Sequence, residues 1–411
     1  MSALAGPRSN RRRFLQRAAV LAMGTPAFVA LFDACSEGGQ SSSASVRKIP
    51  SPQDPVKWDI AGDNEPIGDG MAPEKGATLH LYCFADYIAP DAIRSFENKY
   101  STTVQVTEFN DTDDAIIKIG AGNVDYDVYF PGYDQIGRLV TDGLVRPLNH
   151  SYIPNIANVW PFFANPWYDQ EWRYTVPYTV YTTGIGWRVD QVPADIGALK
   201  NPYAALWDPA YKNKTAIIDD WHTAMAMVLL KLGITDVNTS SADDLKKVGE
   251  QLTALVAATS PKFTATMYSD LPAGLIGLSQ MWSGDIINAA NYLPQGAGPD
   301  LLRYWFPSDG KGLIDNDLVV VLRGGKNPVL GHLFLDHMLD SEVAKQNFRQ
   351  IGYQPPQVSL NPDSLVAQGL VPQSLGSAIV RPEYLDVGYR VLELQSADEK
   401  AWRDVWRAKS R

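Results

Sequence analysis

The amino-acid sequence predicts an α/β protein with two globular units, and three observations carry that reading. From Thr78 onward, apolar residues at alternate positions give way repeatedly to apolar residues spaced by three and four, as strands alternating with helices would. The same grammar starts afresh near Tyr174. At 411 residues, 45% hydrophobic and 20% charged, the chain has enough apolar side chain for more than one core.

The first strand runs through Leu79, Leu81 and Cys83 into the loop Phe84-Ala85-Asp86-Tyr87. Ala92, Ile93 and Phe96 then mark a helix over residues 91–100. A strand end that feeds a helix is where open α/β sheets bind ligands. This loop offers rings and a carboxylate, a combination that suits an organic cation. Strands over 103–109 and 126–130 alternate with short helical runs over 115–119 and 136–143, an order that favours a parallel sheet covered by helices. In the second half, strands are expected over 174–178, 182–188, 215–218, 276–281 and 318–322. Helices are expected over 223–232, 245–258, 329–350 and 399–408. No solenoid-type repeat is present.

The N-terminus reads as an export address. Arg11-Arg12-Arg13-Phe14-Leu15 precedes an apolar run over 18–32 that is too short and too broken by Gly and Pro to span a membrane, and it looks like a twin-arginine signal. The run ends at Ala34-Cys35, which resembles a lipoprotein cleavage site with Cys35 as the lipidated residue, although Asp33 is unusual there. The chain carries a formal charge of −10; removing residues 1–34 takes away five Arg and one Asp and leaves −14. Nucleic acid and anionic membrane surfaces are poor partners for such a domain. With Cys35 lipidated, Cys83 is left as a single buried thiol with no disulfide to make. Residues 35–76, rich in Ser, Gly, Pro and Asp, read as a flexible tether.

An ordered set of motifs then adds up to a resemblance. These are Tyr82-Cys83-Phe84-Ala85-Asp86-Tyr87-Ile88-Ala89-Pro90-Asp91, Tyr126-Asp127-Val128, Pro177-Tyr178 with Thr182-Thr183-Gly184-Ile185-Gly186, and Trp282-Ser283-Gly284-Asp285. Asp315-Asn316, Glu342-Val343-Ala344 and Ile351-Gly352-Tyr353 follow. Together they resemble the spermidine/putrescine-binding group of ABC-importer substrate-binding proteins over residues 78 to about 408. The resemblance implies a type II periplasmic-binding-protein fold, with two α/β lobes on a hinge closing over a linear polyamine. It places residues 77–181 and 284–330 in one lobe, and 182–283 and 331–411 in the other. Crossings are implied near Tyr181, near Trp282 and past Lys326. The implied partners are a polyamine, permease subunits and a membrane reached through the lipid, for a monomer outside the cytoplasm with no cofactor and no metal.

Matched position by position, Phe84 and Tyr87 would pack on the methylene chain, and Asp86 would bind an ammonium or support the loop. Gly132 and Tyr133 fall where the family places a Ser and its neighbours. Asp220 matches a family carboxylate, but the expected Glu three or four residues later is replaced by Thr223 and Ala224. Trp282 and Asp285 match an aromatic and an amine-binding carboxylate, Asp315 a further carboxylate with Asp317 competing, and Tyr353 a late aromatic. The departures leave open a diamine of other length, an acylated polyamine or another organic cation.

Blander roles compete for the same residues. Asp220 suits the N-cap of the helix after it, Asp86 and Asp91 suit the cap of the first helix, and Asp315-Asn316-Asp317 suits a turn. Trp282 and Tyr353 suit core packing. An enzyme is the rival class: Asp220 and Asp285 would be the carboxylate pair of a glycoside hydrolase, and His222 beside Asp220 an acid or base. No nucleophile motif or phosphate loop accompanies them, and His332 and His337 are wrongly spaced for two metal ligands on one helical face. A receptor that presents ligand to a membrane sensor is the third class; neighbouring permease and ATPase genes would distinguish transport from signalling.

Overall fold

Two long neighbouring strands running in opposite directions form the middle of the sheet. The computed structural model describes residues 48–109, 112–122 and 124–409; the expected signal peptide and Cys35 lie outside the described residues. The first elements are β1 (Thr78–Phe84), α1 (Pro90–Tyr100), β2 (Thr103–Phe109), α2 (Thr112–Gly120), β3 (Val128–Tyr129), α3 (Ile136–Thr141) and β4 (Val176–Arg188). Next come β5 (Thr215–Ile218), α4 (Trp221–Lys231), α5 (Ala242–Thr259), β6 (Lys262–Thr264), α6 (Met267–Asp270), β7 (Leu278–Trp282) and α7 (Ser283–Ala289). The chain closes with β8 (Leu302–Trp305), β9 (Leu313–Val321), α8 (Pro328–Met338), α9 (Ser341–Ile351), α10 (Pro362–Ala367), α11 (Tyr384–Val387) and α12 (Ser396–Ala408).

The strands join one sheet in the order β2-β1-β3-β9-β4-β7-β5-β6, with β8 also paired to β4. β1 pairs β2 and β3 in parallel, and β5 pairs β6 and β7 in parallel. Between these ends β9 and β4 are antiparallel to each other and to β3 and β7. The parallel sheet expected from the strand and helix order is therefore two parallel ends joined by an antiparallel centre. Each end is covered on both faces. At the first, Leu79 and Leu81 of β1 and Val319 and Val321 of β9 pack with Phe96 and Phe334, while Tyr82, Leu318 and Val320 pack with Ile116 and Leu139. At the second, Ile217 and Leu278 pack with Val228 and Leu252, while Ala216, Ile218 and Met281 pack with Ile286 and Phe348. This period-two sorting of side chains between opposite cores is what a doubly covered sheet requires, and it gives the two-lobed α/β fold.

Several elements differ from their sequence expectation for local reasons. The helix expected over 329–350 is two helices, because Asp340 leaves the helical conformation (φ −64°, ψ 132°) and its carboxylate accepts from the backbone N–H of Glu342 and Val343, capping α9. Asp315 to Asp317 are not a turn; they lie inside β9. Neither Asp86 nor Asp91 caps α1. Ala89 is the N-cap, its N–H donates to Asn347 Oδ1 at 2.7 Å, and Pro90 begins the helix, so Asp91 falls in the first turn and pairs with Arg94 on the surface. Residues 48–76, expected to belong to the tether, are laid onto the domain. Trp58 is buried and its indole N–H donates to Tyr168 O at 2.9 Å, while Glu74 accepts from the N–H of Val329 and Leu330 at the start of α8. α8 itself, expected from residue 331 to lie in the second lobe, contributes Leu330, Phe334, Leu335 and Met338 to the core under β1, β3 and β9.

One buried carboxylate ties this first end together. Asp127 accepts from the backbone N–H of His80 at 2.8 Å, the N–H of Asn327 at 2.8 Å and the Asn327 amide at 2.9 Å, joining β1, the approach to β3 and the entry to α8. Asp127→Ala leaves two backbone donors unsatisfied and is expected to lower unfolding free energy by about 2–4 kcal/mol, read by urea denaturation. An unchanged denaturation midpoint would contradict this account.

Candidate ligand-binding site

The antiparallel centre delivers carboxylates and hydroxyls to one place. In the β4–β9 register Tyr181 lies opposite Asp315 and Thr179 opposite Asp317. The Tyr87 hydroxyl donates to Asp317 Oδ2 and lies 2.7 Å from Thr179 Oγ1, and the Tyr181 hydroxyl donates to Asp317 Oδ1 at 3.1 Å. The Tyr133 hydroxyl donates to Asp315 Oδ1 at 2.5 Å, its ring stacked on Tyr168 with centroids 5.8 Å apart. Tyr353 donates to Asp285 Oδ1 at 2.9 Å. Its ring meets the rings of Tyr87 and Tyr181 edge-on, at 5.3 and 5.4 Å, and Trp282 meets Tyr181 at 6.4 Å. A continuous row thus runs from Asp285 through Tyr353 and the Tyr87–Tyr181 pair to Asp317 and Asp315.

Close backbone approach builds the Asp285 end. A Cβ on Gly284 would fall onto the Tyr353 ring, and one on Gly352, whose φ is +77°, would fall onto Gly284 O. The Trp282-Ser283-Gly284-Asp285 and Ile351-Gly352-Tyr353 motifs are therefore two sides of one contact. Ser283 Oγ accepts from Thr182 N–H at 3.1 Å, which fixes the start of α7 against β4.

The site is electrostatically uncompensated. Desolvation pushes the carboxyl groups of Asp285 and Asp317 up to about 7 and that of Asp315 up to about 6, against the hydrogen bonds from their tyrosine partners. Asp220 is also raised, by desolvation first. Asp134, in the turn after β3, is raised well above the carboxylate range by desolvation and then by the charges of Asp220, Asp315, Glu393 and Asp317. Among the described residues no salt bridge reaches Asp134, Asp220, Asp285, Asp315 or Asp317. Arg390 eases Asp315 from a distance, but its own N–H groups donate to Ile314 O and Leu385 O, and it lies over the Tyr133 and Phe162 rings.

Most of the residues named from the sequence converge here. Tyr87, Tyr133, Asp315, Tyr353, Asp285 and Trp282 form the row and its edge, and Phe84 joins it through an edge contact with Tyr87 at 5.5 Å. Gly132 carries Asp134 and bridges β9 at Asp317. Asp220 does cap α4, accepting from Thr223 N–H at 2.7 Å, while its charge still acts on Asp134. Asp86 is exposed, at φ +56°, and serves the turn into α1, its N–H donating to Glu108. Asp134, Tyr181 and Thr179 escaped the sequence reading. The Gly-Tyr-Asp step directly after β3 was the available signal for Asp134. His222 is core: its ring lies against Trp221 and Trp402, and desolvation pushes it down to about 3. Cys83 is a buried thiol. Among the described residues no helix is long and apolar enough to cross a membrane, and no group of three potential metal ligands occurs.

Comparison with known proteins gives a consistent set of similarities. The family model described as bacterial extracellular solute-binding protein matches residues 91–369. The putrescine-binding periplasmic protein of Escherichia coli (strain K12) is 27% identical over 296 residues, covering 69% of this chain and 79% of that one. The putrescine/cadaverine-binding protein of Pseudomonas aeruginosa is 25% identical over 341 residues, 80% of this chain and 92% of that one. Among solved structures, a spermidine/putrescine ABC transporter substrate-binding protein of Streptococcus pneumoniae superposes with a TM-score of 0.65 at 22% identity, covering 82% of this chain and 99% of that one. A Treponema pallidum lipoprotein does so with a TM-score of 0.68 at 18% identity, over 81% and 99%. These solved structures share the fold.

Raised carboxyl groups make the ligand-free protein acid-stabilised. The folded state holds protons on Asp285, Asp315 and Asp317 that the unfolded chain has already released above about pH 4. Their stabilising contribution is complete below that value and is lost as pH rises through the folded values of about 6 to 7. The melting temperature is expected to fall between pH 5 and pH 8, and Asp317→Asn to flatten that fall. A profile that rises over the same range in dialysed protein would refute the charge assignment.

Proposed function

Because the chain belongs to the bacterial extracellular solute-binding proteins, we propose that it captures a polyamine of the putrescine or spermidine kind outside the cytoplasm and delivers it to an ABC permease. The single observation that carries this reading is the row of aromatic rings lined with carboxylates that have no fixed cation beside them. Ring faces and edges suit a methylene chain, and enclosed carboxylates require cationic partners. Under this reading Tyr87, Tyr353, Trp282 and Phe84 contact the chain of the ligand, Asp285 and Asp317 receive ammonium groups, Tyr133 orients Asp315, and Asp220 adds charge. The names of the relatives from Escherichia coli and Pseudomonas aeruginosa point to the same ligand class.

The remaining parts of the reading rest on sequence and packing. The twin-arginine motif supports export, and Cys35 behind the apolar run supports a lipid anchor on a monomeric receptor. The packing favours a first lobe that includes α8 along with β1 to β3 and part of β9, and a second lobe built on β5 to β8 and α12. The lipid anchor is checked by cell fractionation: Cys35→Ser should release the protein from the membrane fraction, and retention there would argue against lipidation.

Binding should be visible as one-to-one heat in titration calorimetry with putrescine or spermidine; no heat and no thermal shift across a panel of linear polyamines would overturn the assignment. Asp285→Asn is expected to weaken binding about ten- to hundredfold, the loss of a charged hydrogen bond, while Asp91→Asn leaves it unchanged. Ammonium binding ionises the raised carboxyls, so protons are released and affinity falls as pH drops through 7 to 5. Titrations in two buffers of different ionisation enthalpy measure that release; proton uptake at pH 7 would contradict it.

A further inference from the structure

We infer that Arg403 of α12 is a latch between the two lobes, holding them together through an ion pair with Asp113 of α2, so that it governs ligand affinity without touching the ligand. This rests on the reading of the site as one enclosed between lobes, and adds a positioning residue to it. Arg403 lies outside residues 91–369, the part of the chain that the family model matches.

Each partner is fixed on its own lobe. α2 buries Ala115, Ile116 and Ile119 in the core that holds Tyr82, Leu318 and Val320, and Asp113 stands in its first turn, where the helix N-terminus favours a carboxylate. α12 buries Trp402 in the core that holds Ile217, Val228 and Leu252, and the Trp402 indole N–H donates to Thr239 O at 2.9 Å. One residue on, the Arg403 guanidinium lies 4.6 Å from the centre of the Trp221 ring, and its Nε donates to Glu399 Oε1 at 2.8 Å. The side chain is thus oriented by its own lobe, which reduces the entropy lost when it pairs with the other. From there a terminal N–H donates to the Asp113 carboxylate, 290 residues away along the chain.

Among the described residues this is the one ion pair that joins the lobes; each of the others stays on one side. It also stands beside the ligand site. Asp220 caps α4, whose first residue is Trp221, the ring under Arg403. Desolvation raises the Asp220 carboxyl, and both latch charges act on it as well, Asp113 upward and Arg403 downward. A ligand enclosed between lobes is bound only when they are closed, so a contact that raises the closed fraction raises the apparent affinity. The two side chains are 24% and 37% exposed, which keeps the contribution of the pair modest and open to screening by salt.

The test is a double-mutant cycle on the purified protein, with Arg403→Gln, Asp113→Asn and both together, titrated with putrescine at roughly 0.05 M and at about 1 M salt. At low salt each single substitution is expected to weaken binding about two- to fivefold and the double to bind no more weakly than either single; at high salt the four proteins converge. The sign separates a latch from a direct effect of charge on a cationic ligand. A direct effect would move the two variants in opposite directions, because Arg403→Gln removes a like charge and Asp113→Asn an unlike one. Tighter binding by Arg403→Gln, unchanged binding by both single variants, or single losses that add up in the double overturns the latch and leaves the polyamine reading standing. Circular dichroism at the titration temperature checks folding, and Asp113→Asn, which leaves the packing of α12 on Trp221 intact, decides the matter if Arg403→Gln loosens that helix. If the wild type binds no linear amine, the polyamine reading falls and small-angle X-ray scattering of the ligand-free protein decides the latch. A larger radius of gyration in both single variants than in the wild type upholds it, and equal radii overturn it.

Discussion

The organising constraint of this molecule is enclosed negative charge without a built-in counterion. β9 carries Asp315 and Asp317 two residues apart in the middle of the sheet, where every residue of the strand is buried. An isolated carboxylate in such a place is expensive and responds by holding its proton or by recruiting donors. Here both responses operate. Tyrosine hydroxyls from four separate segments, at Tyr87, Tyr133, Tyr181 and Tyr353, converge on Asp285, Asp315 and Asp317, and desolvation still pushes the carboxyl groups up from their ordinary range.

That convergence explains why the fold needs an antiparallel centre. A purely parallel sheet would bring strand ends of one polarity to one edge, with helices between successive strands. By running β4 and β9 against each other between two parallel ends, the chain sets Tyr181 and Thr179 beside the two carboxylates and lets the same two strands enter the cores of both lobes. The hydroxyl ring is then anchored from each side: Tyr87 through the loop after β1, Tyr353 through the Gly284–Gly352 contact, and Tyr133 through stacking on Tyr168. Removing any one hydroxyl leaves a carboxylate short of a donor, so the site is coupled to the packing of the sheet rather than added to its surface.

Much of this was legible in the sequence, in proportion to how local its cause is. Period-two alternation located β1 and β2 closely, a short apolar run located β5, and the apolar stripe of Leu245, Val248, Leu252 and Leu255 located α5. Boundaries set by a single side chain were missed where a competing pattern was stronger. The apolar run of α8 continues in helical register into α9 and hid the Asp340 cap, and the turn chemistry of Asp-Asn-Asp hid a strand whose partners are 130 and more residues away. In the site, Asp285, Trp282 and Tyr353 were found as members of motifs. Asp134 was not, because its meaning depends on Asp315 and Asp317 of β9 and Asp220 at the head of α4, and no spacing along the chain records that meeting. The same holds for Trp58: one aromatic residue in a polar stretch carried no periodic signal, yet it fastens the segment onto Tyr168.

The pattern of satisfied and unsatisfied oxygens also bears on what kind of cation the site suits. A divalent metal ion asks for six or more oxygens at short range with their lone pairs free. In this row the oxygens of Asp317 and one oxygen each of Asp315 and Asp285 already accept hydroxyl hydrogens, which leaves fewer free lone pairs for a metal ion. An ammonium group is less demanding: it donates three hydrogen bonds over longer distances, shares oxygens that already accept one, and trails an apolar chain that ring edges can bury. The tyrosines that make the buried carboxylates tolerable therefore also leave them better matched to amine donors than to a metal ion. The charge that remains after those hydroxyls have donated is what a bound amine would neutralise.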